Sequence, residues 1–181
     1  KRSTSFQFSL LVVILSGMAA AGTAGAAVIY DNGGPDYVDG YASDFGFPVE
    51  AGDDFILNAG VDVVTDIHWW GFYFGTVPVL VPPNDAFTIR IFEISGGVPQ
   101  PIPFYENSVA DPTGNYGRID TGNTIGNRVF EYSVDLAPIS LSSGIPYLLS
   151  IVHDSTQAGG GNYGNWFWAT RKPTMTSRSW P

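Results

Sequence analysis

The sequence predicts an all-β protein: an antiparallel, jelly-roll-like β-sandwich preceded by a cleavable N-terminal signal helix. Three observations carry this. The 181 residues include 22 Gly and 13 Pro, high for a helical chain and too few for a disordered Gly/Pro-rich one. Asp outnumbers Glu thirteen to four, and Asp favours turns and caps whereas Glu favours helix interiors. From Val28 onward, short apolar runs are cut by Gly, Pro, Asn and Asp, the pattern of sandwiches and barrels. A 44% hydrophobic share with 14% aromatics suffices for a core, and the length suits one domain.

The elements follow in order. Lys1 and Arg2 are a basic start, Leu10 to Leu15 an apolar run, and Ala24-Gly25-Ala26 a small-residue cleavage site. Together they have the form of a secretory signal peptide, over residues 1–26. The strongly apolar stretch is well short of the ~20 residues a membrane span needs. Val28-Ile29-Tyr30 reads as a first strand, ended by Asp31-Asn32-Gly33-Gly34-Pro35. Residues 36–51 read as loop, and Asp54 to Leu57 as a short strand. Val63 to Phe74 is the longest strand. Alternation puts Ile67, Trp69, Gly71 and Tyr73 on one face and His68, Trp70, Phe72 and Phe74 on the other, both apolar enough to be covered in part. Phe87 to Ile94 alternates again. Gly96 to Pro99 is a turn, and Pro103 to Glu106 opens another strand. Asp111 to Asn127 is polar and Gly-rich, a surface excursion. Val129–Val134, Ile139–Leu141, Tyr147–Val152 and Trp166–Trp168 complete a set of about eight or nine strands. Trp166 and Trp168 share one face, with Phe167 opposite.

Charge and composition exclude several functions. Without residues 1–26, six basic and 17 acidic residues leave a net charge of −11, which argues against nucleic acid. No Cys is present, so disulfides, Cys-ligated zinc, Fe–S clusters and thiol nucleophiles are ruled out.

The ordered set of Ile29-Tyr30-Asp31-Asn32-Gly33, Asp53-Asp54-Phe55, Thr65-Asp66-Ile67-His68-Trp69-Trp70-Gly71, Phe87 to Phe92 before Gly96-Gly97, Tyr132 to Leu136, and Gly144 to Val152 before Trp166-Phe167-Trp168 resembles the ectodomain of PEP-CTERM, exosortase-sorted bacterial secreted proteins. The resemblance spans most of residues 28–170. It implies a secreted β-sandwich tied to exopolysaccharide and biofilm matrix, mostly without assigned activity. Such proteins carry a Pro-Glu-Pro motif, an apolar span and an Arg cluster, and usually another strand after the Trp-x-Trp segment. The resemblance therefore implies that residues 27–181 are a single domain lacking its last strand and its C-terminal anchor.

Chemistry is sparse. His68 and His153 are the two histidines, with Asp66 and Asp154 their nearest acids; a half-buried strand histidine is the plainer reading of His68 than a zinc ligand. Glu93, Glu106 and Glu131 lie in or beside strands, where paired carboxylates could serve a glycosidase, though solvated strand acids explain them equally well. No cofactor is expected. Calcium is the metal candidate, from Asp31, Asn32 and Asp36 in the first turn and the pair Asp53 and Asp54. Tyr37, Tyr41, Tyr116 and Tyr163, flanked by Gly, Asp and Asn, are the expected sugar-stacking platform. The functional expectation is a non-catalytic, exported cell-surface or matrix module contacting extracellular polysaccharide. The alternatives are a polysaccharide-acting enzyme using Asp/Glu carboxylates, or a purely structural spacer. Membrane contact is expected only through the signal peptide or a missing anchor.

Overall fold

The computed structural model describes residue 30 and residues 33–46, 49–60, 62–75, 84–110, 117–124, 126–155 and 164–170. The proposed signal helix, Val28-Ile29 and residues 171–181 lie outside the described residues, and Tyr30 itself is not in a strand. The described residues form ten strands: β1 (Gly40–Ala42), β2 (Gly52–Ile56), β3 (Val63–Phe74), β4 (Ala86–Ser95), β5 (Val98–Pro99), β6 (Tyr105–Ala110), β7 (Ile119–Thr124), β8 (Arg128–Ser140), β9 (Pro146–His153) and β10 (Asn165–Ala169). They form two antiparallel sheets. The first has the order β1-β10-β3-β8-β7; the second has β2-β9-β4, with β5 and β6 both on the far edge of β4.

The two sheets share one core, built from the alternate residues of each strand. Val64, Ile67, Trp69 and Tyr73 of β3, with Phe130, Tyr132 and Val134 of β8, meet Phe87, Ile89 and Ile91 of β4 and Tyr147 and Ile151 of β9. Trp69 stacks on Tyr132 at 5.5 Å between centroids and meets Phe87 of the opposite sheet edge-on at 5.3 Å. Full burial of each such side chain contributes about 1.5–3 kcal/mol. Trp166 enters from β10, and its indole lies against Gly71: a Cβ there would be 2.3 Å from Trp166 Cζ2. Glycine at this β3 position is what lets the ring lie flat on the strand.

Several strands depart from the sequence reading. Residues 36–51 contain β1, which pairs with β10 more than a hundred residues later in the chain. Three residues including a glycine carry no periodicity of their own. The excursion at residues 111–127 contains β7, which pairs with the strand that follows it. The segments Val129–Val134 and Ile139–Leu141 are one strand, β8, running through Pro138. Val64 pairs with Ile139 but Asp66 with Asp135, so the extra residues around Pro138 are taken up in a bulge. A bulge is where a strand tolerates proline.

Candidate functional site

The face of β3 turned away from the core carries Trp70, Phe72 and Phe74. Register sets Phe72 between Phe167 of β10 and Val129 of β8, and Trp70 opposite Glu131 of β8. Phe72 is buried beneath these neighbours, with Val129 and Ala169, and Tyr37, Trp70 and Phe167 pack against it as a second apolar cluster outside the sandwich. Phe167 stacks on Phe72 at 5.6 Å and 23°, and meets Phe74 at 5.6 Å and 62°. Phe74 stays 55% exposed. Phe72, Phe74, Phe167 and Asp39 line a cleft of about 200 Å³. Gly40 admits this arrangement, because a Cβ there would be 2.5 Å from the Phe72 ring.

The cleft has an acidic surround. Asp39 Oδ1 accepts the Gly40 N–H at 2.8 Å, and its carbonyl accepts Thr170 N at 3.0 Å and Thr170 Oγ1 at 2.9 Å, which fixes Asp39 at the sheet edge. Further along the same face, His68 Nε2 lies 3.4 Å from Asp66 Oδ2 and its Nδ1 3.7 Å from Glu131 Oε1. All three side chains are partly exposed.

A different polar group is sealed inside. After β1 the chain crosses from the first sheet to the second: Ser43 N donates to Trp166 O at 3.2 Å, and Phe45 N to His153 O at 2.9 Å. Asp44, at the crossing, is fully buried. Its carboxylate accepts from Gly46 N (2.9 Å), Ser155 Oγ (2.7 Å) and Trp166 N (3.0 Å), and sits 3.2 Å from His153 Nδ1. Burial pushes its pKa up, but the hydrogen bonds from His153, Gly46, Ser155 and Trp166 outweigh that and hold it at about 2. On the other side of the ring, His153 Nε2 is 3.3 Å from Tyr73 Oη. Tyr73 donates to Asp85, which also receives Arg118 Nη1 at 2.8 Å. Burial, with the Asp85 carboxylate beside it, keeps the Tyr73 hydroxyl protonated. His153 has no exposed surface, so this chain of contacts offers a substrate no approach and serves as a staple between sheets.

The residues singled out from sequence are distributed as follows. Asp31, Asn32, Tyr116 and Tyr163 lie outside the described residues. Asp36 Oδ1 accepts Val38 N at 2.9 Å and lies 3.4 Å from Thr170 Oγ1. Asp53 and Asp54 are consecutive in β2 and so point to opposite faces, one half-buried and one exposed. They cannot close on one ion together, and among the described residues no group of three or more His, Cys, Asp or Glu is disposed to hold a metal. Tyr37 packs on the outer cluster. Tyr41 is 64% exposed but pairs with Trp168, whose ring packs on the inner core, so it stands on the other face from the cleft. His68 is more exposed than a half-buried strand histidine and shares no site with His153, which faces the core from the other sheet. The three glutamates do not converge either. Glu106 is bound by Arg90 Nε at 2.7 Å on the second sheet, Glu131 lies on the first, and Glu93 is exposed near the end of β4.

Among the described residues the rings that share this outer cleft are phenylalanines; Tyr37 packs beside them and Tyr41 stands on the other face. Alternation had already grouped Trp70, Phe72 and Phe74, and set Phe167 opposite Trp166 and Trp168. The missing signal was the register of β10 on β3. Comparison with protein-family models, curated proteins and solved structures gave no match.

Proposed function

We propose that this chain is a non-catalytic, exported glycan-binding module of jelly-roll type, with its contact surface on the outer face of the first sheet. The strand order supports the jelly-roll reading. The main strands alternate between sheets except for the β4–β6 pair, with β1, β3, β8 and β10 in one and β2, β4, β6 and β9 in the other, so each sheet interleaves strands distant in the chain. Two nested Greek keys have this interleaving; β5 and β7 are then additions at the edges. The leader-like residues 1–26 and the resemblance to exosortase-sorted ectodomains support export to the cell surface or matrix.

The observation that carries the glycan reading is the cleft lined by Phe72, Phe74, Phe167 and Asp39. Aromatic faces accept the apolar C–H side of a pyranose, and a carboxylate at the rim accepts its hydroxyl protons. The volume is below the roughly 300–1,000 Å³ of sites that enclose a small molecule. A sugar would therefore rest on this surface rather than enter it, as suits a polymer chain. Because the rings stand on paired strands, little has to be ordered on binding. Among the described residues Glu93, Glu106 and Glu131, the carboxylates of the enzyme alternative, do not converge on one cleft.

Titration with a polysaccharide panel, read by tryptophan fluorescence, tests this. Trp70 packs in the same cluster as Phe72 and Phe167 and provides the signal. Binding that weakens about tenfold or more in Phe74→Ala, with the melting temperature retained, is the expected result. Silence across the panel removes the glycan reading and leaves the spacer; release of reducing ends restores the enzyme.

A further inference from the structure

Resting on the glycan reading above, we infer that the ligand of this face carries protonated amines: a hexosamine polymer with free amino groups, in place of a neutral or anionic glycan. The donors and acceptors at the cleft favour an amine. Asp39 lines the cleft with three phenylalanines. Among the described residues its carboxylate has one hydrogen-bond partner, the Gly40 N–H on Oδ1. An ionised carboxylate only accepts, whereas an ammonium group offers three donors and no acceptor. A neutral hydroxyl meets such a group with one proton and leaves its own lone pairs without donors.

The aromatic walls point the same way. The negative face of a phenyl ring attracts a cation within about 6 Å of its centroid, so Phe74 and Phe167 favour an ammonium group as well as the sugar ring that bears it. The wider face extends the bias. Glu131 and Asp66 flank the single imidazole of His68, and Asp135 is exposed beyond them. The arginines of the described residues are engaged elsewhere: Arg90 with Glu50 and Glu106, Arg118 with Asp85, Arg128 with Asp120. The described residues of this face are therefore predominantly acidic, a balance that gathers a polycation and repels uronate, sulfate or phosphate groups.

The test compares three oligosaccharides of equal length by calorimetry: glucosamine, N-acetylglucosamine and glucose oligomers. It is run on the chain, Asp39→Asn and Phe74→Ala at about pH 6, where aliphatic amines are charged. The expected result is glucosamine oligomer bound about tenfold tighter than the other two. That margin should vanish in Asp39→Asn while acetylated binding is kept, and all three should weaken in Phe74→Ala. Equal binding of the three to the unaltered chain overturns the amine inference and leaves the glycan reading intact. A preference that survives Asp39→Asn, or binding that survives Phe74→Ala, also overturns it, because general acidity would then be the cause. No binding of any oligomer overturns both.

Discussion

Asp44 and His153 are 109 residues apart in the chain and 3.2 Å apart in space, a carboxylate and an imidazole joined with no solvent between them where the first sheet hands the chain to the second. The pair is flanked by backbone contacts in both directions, Phe45 N to His153 O and His153 N to Ser43 O, each 2.9 Å. A carboxylate this buried is tolerated only when its oxygens are occupied, and four donors occupy them.

That relationship makes stability depend on acid pH. The folded pKa of Asp44, about 2, lies below its ordinary value of 3.8, so the unfolded chain binds more protons in that range. The contribution is fully present above about pH 4 and is lost as pH falls through 2, amounting to about 2 kcal/mol. Chemical denaturation across this range should show the loss. In Asp44→Asn the slope should flatten, and the variant should be less stable at neutral pH.

Gly71→Ala should cost about 1–3 kcal/mol, because the added methyl meets the Trp166 ring at 2.3–2.4 Å on a rigid strand. Thermal melting measures it. The neighbouring glycine contact at Gly40 is at the short edge strand β1, and Gly40→Ala should disturb Phe72 and the cleft more than the core.

Tyr132→Phe should be neutral or stabilising by up to about 1 kcal/mol. The hydroxyl is buried close to Tyr73 and Trp166 but makes no hydrogen bond of good geometry to either, so the folded state recovers little of its desolvation. Urea denaturation decides this; a large loss would mean the hydroxyl is bonded within the Tyr73 network.

Tyr37 holds a backbone φ of 57°, a left-handed conformation unusual for an aromatic residue, while its ring packs on the outer cluster. Both Tyr37→Ala and Tyr37→Gly lose the ring. Only the glycine relieves the backbone, so it should be more stable than the alanine by about 1 kcal/mol. Parallel melts of the two variants make the comparison.

Much of the fold was legible. The long strand over Val63–Phe74 was delimited by its own alternation, and that alternation separated Trp69, now in the core, from Trp70, now outside it. Trp166 and Phe167 were separated by the same rule. What stayed hidden was whatever depends on a distant partner. β1 exists because β10 offers it hydrogen bonds; β8 runs through Pro138 because a bulge against β3 absorbs it. The placing of Tyr37 and Tyr41 on different faces was hidden for a related reason. Loop composition says which rings could be exposed, whereas register says which rings share a face, and it put Tyr41 opposite Trp168.

The sequence by itself determined the all-β class, the faces of each long strand and the acidic character of the chain. These depend on residue type and a two-residue period, both of which are local. Only the tertiary structure decided that Phe72, Phe74 and Phe167 meet beside Asp39, and that Asp44 and His153 close on each other. Those juxtapositions are set by strand order and register across more than a hundred residues, and no local pattern encodes them.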